Sequence, residues 1–214
     1  MIIDIEGVDG CGKNTQTKKL FEYLTNKGFK CRIVSFPNYE SGSSMPVKMY
    51  LNGELGESID ALDPYQASVL FATDRLLTMK QIDVSKYDYV LFDRYVPSNM
   101  IHQASRLKEI EKFLEYVKWA EEFEYDKLKL PRPDKILFLD MPIEMSLKLK
   151  RERTELKNGM QQDINEKDEA QLVNASNTAK RIADEFGWIK IDCGQEELKS
   201  IDEIHQEILT KLGV

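Results

Sequence analysis

The stretch IIDIEGVDGCGKNT, residues 2–15, decides the fold of this chain. It begins with a short apolar run, passes through a loop with three glycines, and leads into QTKKLFEYLTNKG (residues 16–28), which is compatible with a helix. The loop matches the pattern G-x-x-x-x-G-K from Gly7 to Lys13. A strand, a glycine loop and a helix in this order predict a phosphate-binding loop, whose backbone N–H groups surround an anion. A plain tight turn is the alternative interpretation.

The side chains of this loop are the first candidate site residues. Lys13 is expected to reach the β- and γ-phosphates of a triphosphate nucleotide. The next position is Asn14, where Ser or Thr usually ligates Mg²⁺, and Thr15 follows it. Cys11 is interpreted as a small loop filler rather than a reactive thiol, although the start of a helix favours the thiolate.

Composition restricts the class of protein. A chain of 214 residues with 42% hydrophobic residues fits one domain with its own core. The net charge of −7 argues against a nucleic-acid partner, because such binding depends on clustered Lys and Arg. The first residues, MIIDIEGVDG, resemble neither a signal peptide nor a membrane span, so we expect a cytoplasmic protein without membrane contact. The three cysteines lack C-x-x-C spacing and are expected to be reduced thiols.

Short apolar runs alternate with longer amphipathic stretches along the whole chain. Continuous apolar runs are typical of strands that helices cover on both faces. The predicted strands are residues 2–6, 31–36, 89–93, 135–140 and 188–192. We therefore predict a single α/β domain over residues 1–214, with a five-stranded parallel sheet flanked by helices.

Charged residues follow the third predicted strand. In an open parallel sheet, ligands bind outside the carboxyl ends of the strands, so Asp93 and Arg94 are expected to face the same crevice as Lys13. Asp93 can hold Mg²⁺ through water, and Arg94 can bind a second phosphate. An ordinary ion pair at a strand end is the alternative.

Residues 65–80, YQASVLFATDRLLTMK, are predicted to form a helix, because Asp63 and Pro64 are a typical cap and first helical residue. Phe71 and Arg75 are four residues apart and therefore share a face of this helix. That pair suits a base-binding site, in which a ring stacks and a cation donates to the base edge. Without that context, Phe71 would be a core residue and Arg75 a solvated one.

A charged stretch, KLKRERTELKNGMQQDINEKD (residues 148–168), interrupts the alternation of strands and helices. It has no sustained apolar stripe, which indicates a mobile lid over about residues 150–166. A solvated extension of a helix is the alternative interpretation.

Taken together, the blocks IEGVDGCGKNT, SFPNY, LFATDR, DRYVPSN and LKLPRPDKILFLD resemble the thymidylate kinase family over nearly the whole chain. The resemblance implies a three-layer P-loop NTPase fold with a mobile lid. It implies transfer of the γ-phosphate of ATP to dTMP with the help of Mg²⁺. A homodimer is also implied.

The resemblance assigns residues to each part of the site. Phe71 would stack on thymine, Arg75 and Asn99 would recognise its edge, and Arg94 would hold the acceptor phosphate. The ATP-binding residues would be Gly7, Gly10, Cys11, Gly12, Lys13, Asn14, Thr15 and Arg151. The dTMP-binding residues would be Asp9, Phe36, Tyr39, Phe71, Arg75, Arg94, Asn99 and His102. The metal site would use Asp9, Asp93 and Glu166, and the catalytic residues would be Asp9, Lys13, Arg94 and Arg153.

Members of this family place an extra arginine either in the glycine loop or in the lid. Position 10 is glycine here, so the cation is expected in the lid, with Arg153 preferred over Arg151 and Lys157. Relatives carry aromatic residues where this chain has His102 and Asn165, which leaves the exclusion of ribose open.

Alternative functions stay open on the sequence alone. They are a deoxynucleoside kinase, a kinase for another pyrimidine monophosphate, and a nucleotide switch without catalysis. The switch is disfavoured, because the sequence lacks a guanine-reading N-K-x-D motif.

Overall fold

The computed structural model describes residues 1–156, 169–195 and 197–214, with residues 153–156 described by their backbone only. The strands are β1 (Ile2–Glu6), β2 (Cys31–Ser35), β3 (Tyr89–Asp93), β4 (Lys135–Asp140) and β5 (Ile189–Asp192). The helices are α1 (Lys13–Asn26), α2 (Met45–Leu51), α3 (Pro64–Met79), α4 (Val96–His102), α5 (Ile110–Glu121), α6 (Ile143–Leu156), α7 (Glu169–Glu185) and α8 (Ile201–Leu212). A π-helical segment, Glu122–Lys127, continues α5. Each predicted strand is present to within one residue of its predicted bounds.

The strands form one parallel sheet in the order β2-β3-β1-β4-β5. Because β1 lies between β3 and β4, the loops that follow β1 and β3 leave the sheet side by side. Ile5 pairs with Asp93 in this register. The topology therefore brings the glycine loop and the Asp93–Arg94 pair to the same edge of the sheet, as the sequence predicts.

Helices cover the sheet on both faces, which explains the continuous apolar runs. In β3, Leu91 belongs to one core cluster, while its neighbours Val90 and Phe92 belong to another. This alternation follows from the two-residue repeat of a strand. The strand is buried on both sides, and the predicted three-layer arrangement is confirmed.

The helix that carries Phe71 and Arg75 begins with a capping box. The Asp63 carboxylate accepts hydrogen bonds from the backbone N–H groups of Tyr65 (2.8 Å) and Gln66 (2.9 Å). The Gln66 side chain accepts in return from the backbone N–H of Asp63 (3.0 Å). These bonds satisfy N–H groups that a helix start otherwise leaves free, and they fix where α3 begins.

The charged stretch is helical where the structure describes it. Residues 150–156 form the last part of α6, and residues 157–168 lie outside the described part of the chain, so both the lid and the helix extension stay predictions. The Arg151 guanidinium is bound to the Glu169 carboxylate by hydrogen bonds of 2.8 to 3.1 Å. This ion pair joins the end of α6 to the start of α7.

The described helices include none that is both long enough and apolar enough to cross a membrane. The cysteines Cys11, Cys31 and Cys193 are free thiols, in line with the predicted reduced state.

Candidate active site

The glycine loop joins β1 to α1 in a conformation that needs its glycines. Gly7, Gly10 and Gly12 have φ angles of 148°, 87° and 87°, which L side chains rarely adopt. Gly12 is the residue before α1, and no side chain caps this helix start. Asn14 and Thr15 are exposed in the first turn. Uncapped N–H groups at the start of a helix form an anion site, so the geometry is that of a phosphate-binding loop.

Lys13 lies inside this loop. Its ammonium group donates to the backbone oxygens of Gly7 (2.9 Å) and Val8 (2.8 Å), and its side chain is buried. A bound phosphate would replace these carbonyl partners with oxygens of full negative charge. Lys13 is therefore a buried part of the loop in the described structure.

Two further loop positions are closely packed. A Cβ atom at Gly10 would lie 2.5 Å from the backbone oxygen of Ser146 in α6, so a side chain does not fit there. Cys11 is buried, and burial raises the pKa of its thiol although Lys13 lowers it. The thiol thus stays protonated, which fits the interpretation of Cys11 as a loop filler.

Arg94, after β3, is the centre of a polar cluster. Its Nη2 atom donates to the Asp9 carboxylate, and its Nη1 atom donates to Ser98 Oγ (3.2 Å). Nη1 also lies 3.0 Å from His102 Nε2. A guanidinium has five N–H donors, so others remain for a phosphate. Burial lowers the pKa of Arg94, but Asp9 and Glu6 outweigh it and raise that pKa, so Arg94 stays a cation.

Glu6, the last residue of β1, supports the backbone of this cluster. Arg94 has a φ of 68°, a strained value for a residue other than glycine. The buried Glu6 carboxylate accepts from the next backbone N–H, that of Tyr95 (2.8 Å), and from Ser98 Oγ (2.8 Å). These bonds hold the unusual turn that directs Arg94 toward Asp9.

The neighbours of Arg94 are held in fixed charge states. Burial raises the pKa of Asp9, but Arg94 and Lys13 outweigh it, so the pKa lies well below its usual range. For His102, burial and the Arg94 charge lower the pKa to about 3. His102 is therefore neutral near pH 7, and its Nε2 atom accepts the hydrogen bond from Arg94 while Nδ1 holds the proton.

A cleft with about 600 Å³ of empty space, open to solvent, lies beside this cluster. Asp9 belongs to both the glycine loop and the cleft wall, so the two sites adjoin. Every residue that the family resemblance assigns to dTMP lines this cleft: Asp9, Phe36, Tyr39, Phe71, Arg75, Arg94, Asn99 and His102.

Arg75 and Asn99, which both line the cleft, share an unpredicted partner. Glu124, in the π-helical segment, accepts from Arg75 Nε (2.6 Å) and Nη2 (2.6 Å). The same carboxylate accepts from Asn99 Nδ2 (2.8 Å). All three side chains are almost fully buried, so Arg75 is not the solvated cation of the alternative interpretation.

Two carboxylates near the glycine loop, those of Asp9 and Asp93, are of the kind that suits Mg²⁺. Asn14 Nδ2 donates to Asp93 Oδ2 (3.1 Å), so the unusual residue of the motif contacts the predicted metal-supporting carboxylate. The described residues contain no cluster of three or more His, Cys, Asp or Glu side chains that could hold a metal. Mg²⁺ usually binds one or two carboxylates together with phosphates and water, so Asp9 and Asp93 fit this ion.

Several predicted residues lie outside what the structure describes. They are Glu166, Lys157 and Asn165, and the side chain of Arg153. Their predicted roles stay predictions. Arg151, predicted to bind ATP, is engaged by Glu169 in the described structure.

The sequence does not single out Glu6, Ser98 or Glu124. Ser98 lies within the block DRYVPSN, and Glu6 directly precedes the glycine loop, so position in a motif points to both. Glu124 lies in the run EEFEYDK, which has the composition of a solvated helix, and no pattern separates it from its neighbours.

Comparison with known proteins decides the family. The family model described as thymidylate kinase matches residues 5–208. The chain belongs to the thymidylate kinase family. Thymidylate kinase of Mycobacterium tuberculosis is 33% identical over 171 residues, which cover 78% of each protein. Thymidylate kinase of Plasmodium falciparum is 28% identical over 212 residues, covering 98% of this chain and 88% of that protein.

Solved structures agree on the fold of this family member. Thymidylate kinase from Candida albicans superposes with a TM-score of 0.70 at 19% identity, covering 99% of this chain and 90% of that one. Deoxyadenosine kinase from M. mycoides superposes with a TM-score of 0.65 at 16% identity, covering 100% and 99%. The shared architecture confirms the predicted α/β fold with its five-stranded parallel sheet flanked by helices, and at these identities it indicates the fold alone.

Proposed function

We propose that this chain transfers the γ-phosphate of ATP to dTMP, giving ADP and dTDP. The observation that supports this most directly is the convergence of the acceptor residues in one cleft that adjoins the glycine loop through Asp9. A donor phosphate at the start of α1 and an acceptor phosphate at Arg94 would then lie next to each other. Transfer requires this in-line approach of the two anions.

The chain's own residues bind and position the phosphates. The N–H groups at the start of α1 and the Lys13 ammonium hold the phosphates of ATP, and Arg94 holds the phosphate of dTMP. Asp9 and His102 orient Arg94 through the contacts described above. Mg²⁺, held near Asp93 and Asp9, supplies further neutralisation of phosphate charge when it is bound with ATP.

An additional cation is proposed for the transferring phosphoryl group. Gly10 leaves no room for a side chain in the loop, so this cation comes from the segment after Lys150. Arg153 is our candidate, because Arg151 is bound to Glu169. Negative charge spreads over the oxygens of the transferring group in the transition state, and a cation placed there lowers the barrier.

The base site is proposed to accept one pyrimidine ring. Phe71 stacks on the ring, and Arg75 and Asn99 meet its edge. Phe71 is half-buried at the cleft and packs edge-on against Tyr50, with ring centroids 6.4 Å apart. This contact fixes the ring orientation before a base is bound.

We also propose that the protein is a homodimer in the cytoplasm. Exposed apolar side chains support the dimer, because Val69 and Leu77 are 42% and 45% exposed on one stripe of α3. Ile110 and Leu114 form a similar exposed pair, four residues apart, on α5. Such side chains gain stability when a second copy covers them.

An acceptor panel with ATP and Mg²⁺ tests the proposed reaction. We expect the highest kcat/KM for dTMP, with dUMP lower by roughly 10–200-fold, the range that burial of one methyl group allows. dCMP, dGMP and thymidine should be poorer still. If thymidine has the highest kcat/KM, the protein is a deoxynucleoside kinase. If another monophosphate has the highest kcat/KM, that monophosphate is the acceptor instead of dTMP. No transfer to any acceptor would contradict the kinase assignment.

A further inference from the structure

We propose that Glu124 is a specificity-determining positioning residue, which fixes the cleft to read thymine and to reject cytosine. The proposal rests on the proposed function and deepens it. It starts from one feature of the described structure: a single buried carboxylate binds both Arg75 and Asn99, the side chains proposed to meet the edge of the base.

The chemistry of a carboxylate determines how Asn99 is oriented. An ionised carboxylate only accepts hydrogen bonds, so the group of Asn99 that contacts Glu124 is the amide nitrogen and not the oxygen. The same nitrogen lies 3.4 Å from the backbone oxygen of Ser68, which occupies its second N–H. The amide oxygen is therefore the group that Asn99 can offer to a ligand in the cleft, and it is an acceptor.

Arg75 is fixed by the same carboxylate. Its Nε and Nη2 atoms bind Glu124, and its Nη1 atom donates to the backbone oxygen of Tyr95 (3.3 Å). The fork of a guanidinium is planar and rigid, so these three bonds fix the direction of its remaining N–H groups. Arg75 can only donate to a base.

One donor beside one acceptor is a pattern that distinguishes two bases. Thymine offers a carbonyl oxygen at C4 and an N–H at N3, which match Arg75 and Asn99. Cytosine offers an amino group at C4 and a bare nitrogen at N3, so both contacts would oppose like groups. Sites that hydrogen-bond a ligand edge reject mismatched ligands strongly, because their own polar groups are left unpaired. Glu124 contributes by preventing the Asn99 amide from turning over.

The substitution Glu124→Gln tests this role. Glutamine keeps the size of the side chain but replaces one acceptor oxygen with an NH₂ group, which opposes either Arg75 or Asn99. The fixed orientation is then lost. We expect the KM for dTMP to rise at least about tenfold. We expect kcat at saturating dTMP to change less than about threefold, since Glu124 is proposed to act on the base site and not on the phosphate site. We expect the ratio of kcat/KM for dTMP over dCMP to fall at least about tenfold.

Matched variants separate positioning from general stability. Glu207→Gln removes another carboxylate that binds several donors, in α8 and away from the cleft, and should leave the dTMP to dCMP ratio unchanged. Glu124→Asp keeps the charge but shortens the side chain, and it serves as the second variant if Glu124→Gln does not fold. It should lower the ratio in the same direction.

The outcomes are distinguishable. A parallel fall of dTMP and dCMP activity in both Glu124 variants, or a ratio unchanged within twofold, would assign Glu124 a structural role only and overturn the inference. If the unaltered enzyme prefers dTMP and the Glu124 variants leave the ratio of dTMP to dCMP activity unchanged, the proposed function stands and the inference is wrong. If the unaltered enzyme phosphorylates dTMP and dCMP equally well, the inference is wrong while the transfer to dTMP stands. If it transfers no phosphate to dTMP, the proposed function itself is wrong.

Discussion

His102 should make the folded protein sensitive to mild acid, and the substitution His102→Gln can reveal this sensitivity. The pKa of His102 is lowered from 6.5 to about 3 in the folded protein, first by burial and then by the Arg94 charge. The groups that face it are Arg94, Lys13 and the opposing charge of Asp9. As the pH falls below 6.5, the unfolded chain takes up a proton at His102 while the folded chain does not. Stability must therefore fall with falling pH.

The size of this effect follows from the two pKa values. Integrating the difference in bound protons from pH 7 to pH 5 gives a loss of about 2 kcal/mol from this one group. Folded domains have total stabilities of about 5–15 kcal/mol, so the effect is large enough to measure. In His102→Gln the titrating group is gone, while an oxygen acceptor for Arg94 remains. Between pH 7 and pH 5, the free energy of unfolding of the variant should fall by about 2 kcal/mol less than that of the unaltered protein.

Urea denaturation at pH 7, 6 and 5 measures the required difference. His205, whose pKa burial also lowers, is present in both proteins, so its contribution cancels when the two curves are subtracted. The carboxylates cancel in the same way. A difference that stays constant within about 0.5 kcal/mol between pH 7 and pH 5 would refute the reasoning, because it would mean that folded His102 takes up a proton as readily as unfolded His102.

The remaining predictions concern the phosphate sites. Lys13→Ala should lower kcat/KM for dTMP by at least about 10²-fold; circular dichroism should show a native fold, and near-normal turnover would contradict the assignment of the loop. Arg153→Ala should lower kcat by about 10³-fold or more with little change in KM, because its contact is proposed to form mainly in the transition state. Arg151→Ala is the matched control and should keep most of kcat; wild-type kcat in both arginine variants would mean that the charged segment is only a solvated helix.

Much of the fold could be predicted because its signals are local. Each strand is a continuous apolar run, and helices begin at capping residues such as Asp63, so pattern and cap place most elements. The carboxyl ends of β1, β2 and β3 then meet at one edge of the sheet. Residues that follow those strands must therefore lie close together, and Asp9, Phe36 and Arg94 all line the cleft.

The parts that could not be predicted depend on contacts distant in sequence. Glu124 binds Arg75 across 49 residues, and its charged neighbours hide it in the sequence. The buried state of Lys13 and the left-handed turn at Arg94 depend on loop geometry that no residue pattern specifies. The sequence pattern singles out Asn14 and Asp93 separately, but it does not predict their contact, because they lie in different elements.

Gly10 and the helix α6 together explain why the extra cation should lie at position 153. The backbone of α6 at Ser146 and Lys150 packs against Gly10, 2.5 and 3.5 Å from where a Cβ atom would be, and thereby occupies the space of a loop side chain. With 3.6 residues per turn, position 153 follows 146 by seven residues and 150 by three, so it lies on the helix face directed toward the glycine loop. Position 151 is rotated away from that face, which agrees with the bond of Arg151 to Glu169 in α7. The packing that excludes an arginine from the loop is therefore also the reason to expect the additional cation at position 153.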